Sequence, residues 1–179
     1  MMEEFALDQI DDLAAHILEN SRRATLEAIA RVPQGVYLSE STFDGYDRPI
    51  TLKAKMTVRA DGIEVDYAGS APAARKGINS PKCYTDAYTV FGVKCIVAPA
   101  VPNNAASLAP FTVLAEDGSI VAPRRPSPVT ARHVIGQMLP DVVFGCLRQV
   151  VPQRVPAEGT SCLWNINVRG RVRGGEGGN

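Results

Sequence analysis

The sequence predicts an α+β fold in which antiparallel β-hairpins pack against two or three helices. Three observations point to it. Residues 8–31 carry apolar side chains at helical spacing behind an acidic start. Residues 50–67 alternate apolar and polar side chains on either side of Asp61-Gly62. Residues 130–150 form a long, mostly apolar stretch of helical length.

Taken in order, Asp8 suits the first helix's N-cap, and Asp11 and Asp12 suit the positive end of its dipole. Ile10, Leu13, Ala14, Ile17, Ala24 and Ala28 fall near one face, and Pro33 and Gly35 end the helix. Residues 36–70 read as strands. Leu52, Ala54, Met56 and Val58 alternate with Thr51, Lys53, Lys55 and Thr57, as in a half-buried antiparallel strand. Asp61-Gly62 is the expected two-residue turn, and Ile63, Val65 and Tyr67 return on one face. Residues 68–82 form a Gly- and Pro-rich loop, and 83–97 a mostly buried helix. Residues 98–110 are irregular. Phe111 to Leu114 is a short strand, Asp117-Gly118 a turn, and Ile120-Val121 its return. Arg124 to Pro128 is a proline-rich connector. Pro140 kinks the 130–150 helix or divides it in two. Cys162 to Val168 alternates like a strand. Residues 1–168 thus read as one α+β region, and 169–179 as a Gly/Arg-rich tail or the cut edge of a longer chain.

Composition narrows the function classes. The 179 residues are 45% hydrophobic, enough for a core. The net charge is zero, which argues against nucleic-acid or membrane-surface binding. The charge is unevenly spread: residues 1–51 hold 10 acids and 4 bases, and 124–179 hold 8 arginines and 3 acids. The four cysteines, Cys83, Cys95, Cys146 and Cys162, lack CxxC spacing and read as buried free thiols in a reducing compartment. No run approaches the ~18 apolar residues of a membrane span, and the acidic N-terminus lacks signal-peptide character. The expected location is the cytoplasm.

Several site signatures are missing: a phosphate-binding Gly-rich loop, a GxSxG elbow and HExxH. His16 and His133 are the only histidines, too few for a multi-histidine metal centre, so no metal ligand is assigned. His16 reads as a surface or half-buried histidine, and no spacing selects a Cys–His pair around His133. Three polar loops remain. In the first, Asp66 ends a strand, where a carboxylate acts as a base, binds a cation or caps a turn, and Gly77-Ile78-Asn79 follows. In the second, Asn103 and Asn104 can bond a substrate amide or their own loop. In the third, Arg132 suits a carboxylate or phosphate, and His133 a proton relay. Asp66, Asn79, Asn103 and His133 are the catalytic candidates, and Arg132 is the substrate-binding candidate.

In this order the loops resemble the hydantoinase B/oxoprolinase family. Val65-Asp66-Tyr67-Ala68-Gly69-Ser70 with Gly77-Ile78-Asn79 resembles its DF-x-G-T/S … G-x-N signature. Val32-Pro33-Gln34-Gly35-Val36-Tyr37 is similar to its lPdG-Y turn, and Val101-Pro102-Asn103-Asn104-Ala105 to iP-x-N-x-G. Ala115-Glu116-Asp117-Gly118-Ser119-Ile120-Val121 and Pro152-Gln153-Arg154-Val155-Pro156-Ala157 resemble two further elements, so the likeness runs from about residue 5 to 168. Tyr67 replaces the usual Phe, Ala105 a common Gly, and Arg75-Lys76 make the first loop unusually basic.

The resemblance implies a middle segment of a longer B-type subunit; the Met1-Met2 start and glycine-rich end fit an excised piece. Such subunits work with a hydantoinase A-type nucleotide-binding subunit or domain. Together they use ATP to open cyclic amides such as hydantoin, N-methylhydantoin or 5-oxoproline. The expected contribution of this chain is scaffold, subunit interface and substrate-facing loops, with the isolated chain inactive. ATP and a divalent metal are expected elsewhere in the enzyme; the carboxylase branch's metal ligands lie in an upstream histidine-rich region that nothing here matches. The alternatives are a fragment of an ATP-dependent ketone carboxylase subunit, or a non-catalytic paralogue serving as an assembly module.

Overall fold

The computed structural model describes residues 9–159. The predicted strand at Cys162 to Val168 and the 169–179 tail lie outside the described residues. The elements run α1 (Asp11–Ile29), β1 (Gly35–Phe43), β2 (Ile50–Arg59), β3 (Gly62–Asp66), α2 (Lys82–Val97), α3 (Ala105–Leu108), β4 (Phe111–Leu114) and α4 (His133–Leu147), then a 3-10 turn at Pro152–Arg154. This is the expected α+β architecture: one four-stranded, mostly antiparallel sheet and four helices among the described residues.

The strand alternation sets the layers. Leu52, Ala54, Met56 and Val58 of β2 are buried with Ile63 and Val65 of β3 and Tyr67 just beyond it. Lys53 and Lys55 stand on the opposite face, where Glu40 lies across from Lys53 at 3.7 Å. The inner face is covered by two helices side by side: α4 over β1 and β2, α2 over β4. Glycines let these layers approach. A Cβ on Gly92 of α2 would lie 2.9 Å from the Pro140 Cα of α4, and one on Gly136 would meet the Tyr84 ring at 2.4 Å. A helical glycine costs about 1 kcal/mol relative to alanine, and the close packing offsets it.

The sheet order is β1-β2-β3-β4, with β1–β2–β3 antiparallel and β3–β4 parallel. The parallel pair corrects one sequence expectation. Phe111 to Leu114 is a strand, and Asp117-Gly118 does turn with Gly118 at φ +91°, but Ile120-Val121 does not return as its partner. The chain reaches β4 through α2 and α3, so β4 runs alongside β3. Ile120 is instead held in the core, its N–H donating to the Ala71 carbonyl at 2.8 Å. The β2–β3 hairpin forms as expected, shifted by one residue: Ala60 and Asp61 turn, and Gly62 already pairs with Arg59. Gly62 serves a close approach instead, since a Cβ there would lie 2.5 Å from the Pro110 carbonyl oxygen.

The helices and cysteines carry further corrections. The first helix starts at Asp11 with Ile10 at its N-cap position, rather than at Asp8, which lies outside the described residues. Its buried stripe is Ser21, Thr25 and Ile29, while Ile10, Leu13 and Ile17 are exposed, because only the last turns reach the core. The hydroxyls of that stripe donate to helix carbonyls, Ser21 to Ile17 at 2.7 Å and Thr25 to Ser21 at 2.9 Å. The 98–110 stretch contains the one-turn α3, closed by a reciprocal capping box between Asn104 and Ser107. The last helix runs unbroken from His133 through Pro140 to Leu147, so of the two expectations for Pro140, a kink or a division, the division does not occur. Finally, Cys146 is a buried free thiol, but Cys83 and Cys95 are exposed; with Ala87 and Phe91 they form a bare stripe along α2. Residues 83–97 were expected to form a mostly buried helix, and one side of it is open here.

Tyr67 shows how the core handles an extra polar group. Its ring is fully buried and its hydroxyl pairs with the Thr89 hydroxyl of α2 at 2.8 Å. Burial pushes this phenol well above its ordinary range, so it stays neutral. A buried hydroxyl left alone costs about 1–3 kcal/mol. Tyr67→Phe and Thr89→Val should therefore each destabilise by that order, and the double variant should lose less than the sum by roughly 1 kcal/mol or more. A double-mutant cycle in urea reads this; strict additivity counts against the buried pair.

Cys146 gives a pH signature. Burial pushes its thiol from 9.0 to about 11. A folded-state value above the unfolded one stabilises fully below about pH 9 and is lost as pH rises through 11. In reducing buffer the unfolding midpoint should fall across that window, and Cys146→Ala should flatten the fall. Iodoacetamide at about pH 8, near the ordinary thiol range, should label Cys83 and Cys95 in the native protein and leave Cys146 unmodified.

Candidate functional site

The residues predicted from sequence fall into two groups. The first loop (68–81) and the third (124–132) lie against each other, joined by the Ala131 N–H donating to the Gly77 carbonyl. The second loop, with Asn103, lies beside the C-terminal half of α2, away from the turn at that helix's start.

Asn79 sits where the first and third loops meet, and its amide is fully buried. Its Oδ1 accepts from the Ala74 N–H at 2.7 Å. Its Nδ2 donates to the carbonyls of Ala74 at 2.9 Å, Lys76 at 3.2 Å and Pro128 at 2.8 Å. The amide is thus spent on the protein's own backbone. It shapes residues 74–76 and ties them to the connector before α4. A Cβ on Gly77, two residues earlier, would lie 3.4 Å from the Thr130 Cβ.

Asp66 ends β3 opposite Lys55, on the outer face of the sheet. Its Oδ1 accepts from the Ala68 N–H at 3.0 Å, capping the turn. Its side chain lines a shallow groove shared with Leu38, Lys53 and Lys55. Asn79 is buried within its own loop instead, so these two candidates do not converge on one reacting atom.

Arg132 precedes α4 with its guanidinium 5.3 Å from the Tyr84 ring centroid. Tyr84 stacks on Tyr88 at 4.6 Å and donates its hydroxyl to it at 3.1 Å. That hydrogen bond raises the Tyr84 phenol, and Arg132 opposes the rise. His133 begins α4 and is half-buried. The Tyr84–Tyr88–Arg132 cluster escaped the sequence reading; the i,i+4 tyrosines were its visible half, and Arg132 joins only through the fold.

Asn103 is exposed on an apolar groove of about 740 Å³ walled by Val90, Phe91, Leu108 and Phe111. Two lysines bear on this groove, Lys94 by lining it and Lys82 through Asp86, which lines it. Lys82 ion-pairs with Asp86 and donates to the Val113 carbonyl. Lys94 is buried and donates to the Val101 carbonyl, and burial lowers its ammonium below the ordinary lysine value. The neighbouring Asn104 is structural: besides capping α3, its Nδ2 donates to the Ser21 hydroxyl of α1 at 2.8 Å. Among the described residues, no group of three or more His, Cys, Asp or Glu side chains is placed to hold a metal ion.

A family model described as hydantoinase B/oxoprolinase matches residues 1–178. A protein of Pseudomonas sp. (strain NS671), the B-type subunit of a putative D-/L-hydantoinase, is 29% identical over 171 residues, covering 88% of this chain and 29% of that protein. The chain thus spans less than a third of that relative's length. Among solved structures, the ATP-dependent caprolactamase of Pseudomonas jessenii superposes with a TM-score of 0.76 at 20% identity, over 86% of this chain and 27% of its own. A nucleotide-free acetone carboxylase shares the fold with a TM-score of 0.67 at 12% identity, over 80% of this chain and 22% of its own.

The geometry separates two asparagines that look alike in sequence. Asn79→Ala strips four hydrogen bonds from buried backbone and should cost about 2–4 kcal/mol, read as a lower urea midpoint at unchanged m-value. Asn103→Ala, at an exposed position, should stay within about 0.5 kcal/mol. Equal effects on the two midpoints would contradict this arrangement.

Proposed function

The chain belongs to the hydantoinase B/oxoprolinase family, whose model matches residues 1–178, and from that premise we propose that it is part of the B-type subunit of an ATP-dependent cyclic-amide hydrolase. The observation that carries the reading is the family match along the chain, aligned to under a third of a relative that is itself a hydantoinase B-type subunit by name. The substrate class would be hydantoin, N-methylhydantoin or 5-oxoproline. The reaction needs a polarised amide carbonyl, an activated water and coupling to ATP cleavage. On this reading ATP and the divalent metal bind elsewhere in the assembly, in keeping with a sequence that carries no phosphate loop.

This chain's part is scaffold and interface. The exposed apolar stripe of α2 and the groove beside it suit burial against further protein, and an A-type nucleotide-binding subunit is the partner proposed for the assembly. Asp66, with one carboxylate oxygen uncommitted among the described residues, and Asn103, exposed on its groove, are the candidates for facing substrate. Likeness of fold to acetone carboxylase supports a second reading, a ketone carboxylase subunit.

The purified chain alone should neither hydrolyse ATP nor open hydantoin or 5-oxoproline. Captured from its source cells and weighed intact, it should be found in a longer polypeptide that brings a nucleotide-binding partner, and that complex should open a cyclic amide only with ATP. ATP-dependent ketone carboxylation by the complex would favour the second reading instead. A native species of 19.2 kDa without such a partner would favour a non-catalytic assembly module.

A further inference from the structure

We propose that the pocket between the β1–β2 turn and the 71–78 loop is a binding site for a small organic carboxylate. The pocket encloses about 500 Å³, within the range of small-molecule sites. Its floor is apolar: Ile50, Ile78 and Ile120 are each less than a tenth exposed. Its walls carry three cations, Arg48 from the turn and Arg75 and Lys76 from the loop, against one carboxylate, Asp47.

These cations are not used by the fold. Neither Arg48 nor Arg75 has a side-chain hydrogen bond or ion pair among the described residues, although Asp47 is on the same wall. Lys76 has one contact, its ammonium 6.0 Å from the Tyr46 ring centroid. Like charges gathered on one concavity repel one another, and an anion between them relieves that repulsion.

The walls are also pre-arranged. The buried Asn79 amide bonds both backbone groups of Ala74 and the carbonyl of Lys76, so the backbone on both sides of Arg75 is fixed before any ligand arrives. The opposite wall is a tight turn in which a Cβ on Gly45 would lie 2.0 Å from the Arg48 carbonyl oxygen. Binding to such a site costs little further ordering of the backbone. Guanidinium groups match the planar fork of a carboxylate, and the isoleucine floor matches a hydrocarbon body. Inorganic phosphate would meet the cations but leave that floor wet, which is why an organic anion is favoured. Nothing in this pocket depends on the cyclic-amide chemistry proposed above.

The test is a ¹H–¹⁵N NMR titration of the full chain with glutarate, with its uncharged counterpart glutaramide, and with inorganic phosphate. Saturable shifts at residues 46–48 and 74–78 with glutarate, and none with glutaramide, are expected. Arg75→Gln/Lys76→Gln should raise the glutarate Kd at least about tenfold, and Arg48→Gln likewise. The equal charge loss of Lys53→Gln/Lys55→Gln on the sheet's outer face should leave it unchanged. Each variant is checked for folding by its native spectrum, and the single Arg75→Gln variant stands in if the double variant unfolds. The proposal is overturned if glutarate gives no saturable shift by about 10 mM, if the pocket variants bind as tightly as the parent, or if phosphate binds these residues as well as glutarate does.

Discussion

The architecture depends on one buried amide. Asn79 lies three residues before α2, and Pro128, whose carbonyl it bonds, lies five residues before α4. Together with the Ala131–Gly77 backbone bond, this fixes the starts of both helices at one place. From there they run side by side, and their contact is close only because glycine faces a ring at Gly136–Tyr84 and a backbone at Gly92–Pro140. The inner face of the sheet then has a single two-helix lid, and the hydroxyl of Tyr67 reaches through it to Thr89. Four hydrogen bonds on one residue thus set the geometry within which some twenty apolar side chains pack.

That dependence explains what could and could not be read from the sequence. The alternation in β2 and β3 is local, and it identified the hairpin and its buried face correctly. The turn slipped by one residue because Gly62 answers to Pro110, which belongs to a different part of the chain. β4 was visible as a strand, but its partner was not, since parallel pairing with β3 is made across a long crossover that leaves no local mark. In α1 the apolar stripe was real, yet the core receives Ser21, Thr25 and Ile29 instead, because hydroxyls that bond their own helix carbonyls can be buried.

The candidate site shows the same limit more sharply. A Gly-x-Asn at residues 77–79 reads equally as a substrate amide's partner or as a loop staple. Three of the four hydrogen bonds that decide between them are local, to Ala74 and Lys76, but the fourth reaches 49 residues along the chain. Among the described residues Asp66 and Asn103 keep uncommitted polar atoms, but in separate grooves. Arg132 was visible as a possible anion partner; its placement over Tyr84 depends on α2 and α4 being side by side.

The polarity of α2 bears on how much of the working enzyme this chain represents. A helix that faces water on one side ordinarily segregates polar residues there. Here the outward stripe is Cys83, Ala87, Phe91 and Cys95, next to a groove walled by further apolar side chains. Exposing such a surface is costly at roughly 25 cal/mol per Å², and sequences seldom keep that cost without a use for the surface. The sheet's outer face differs: Lys53 and Glu40 pair with each other there and are at home in water. That outer face also leaves Val36 and Leu38 bare, as α1 does Leu13 and Ile17, so the α2 side is one of several surfaces that a covering layer would bury. The basic pocket at Arg48, Arg75 and Lys76 shares no lining residue with the groove beside α2, so burying that groove under further protein and filling the pocket with a small ligand are separate events.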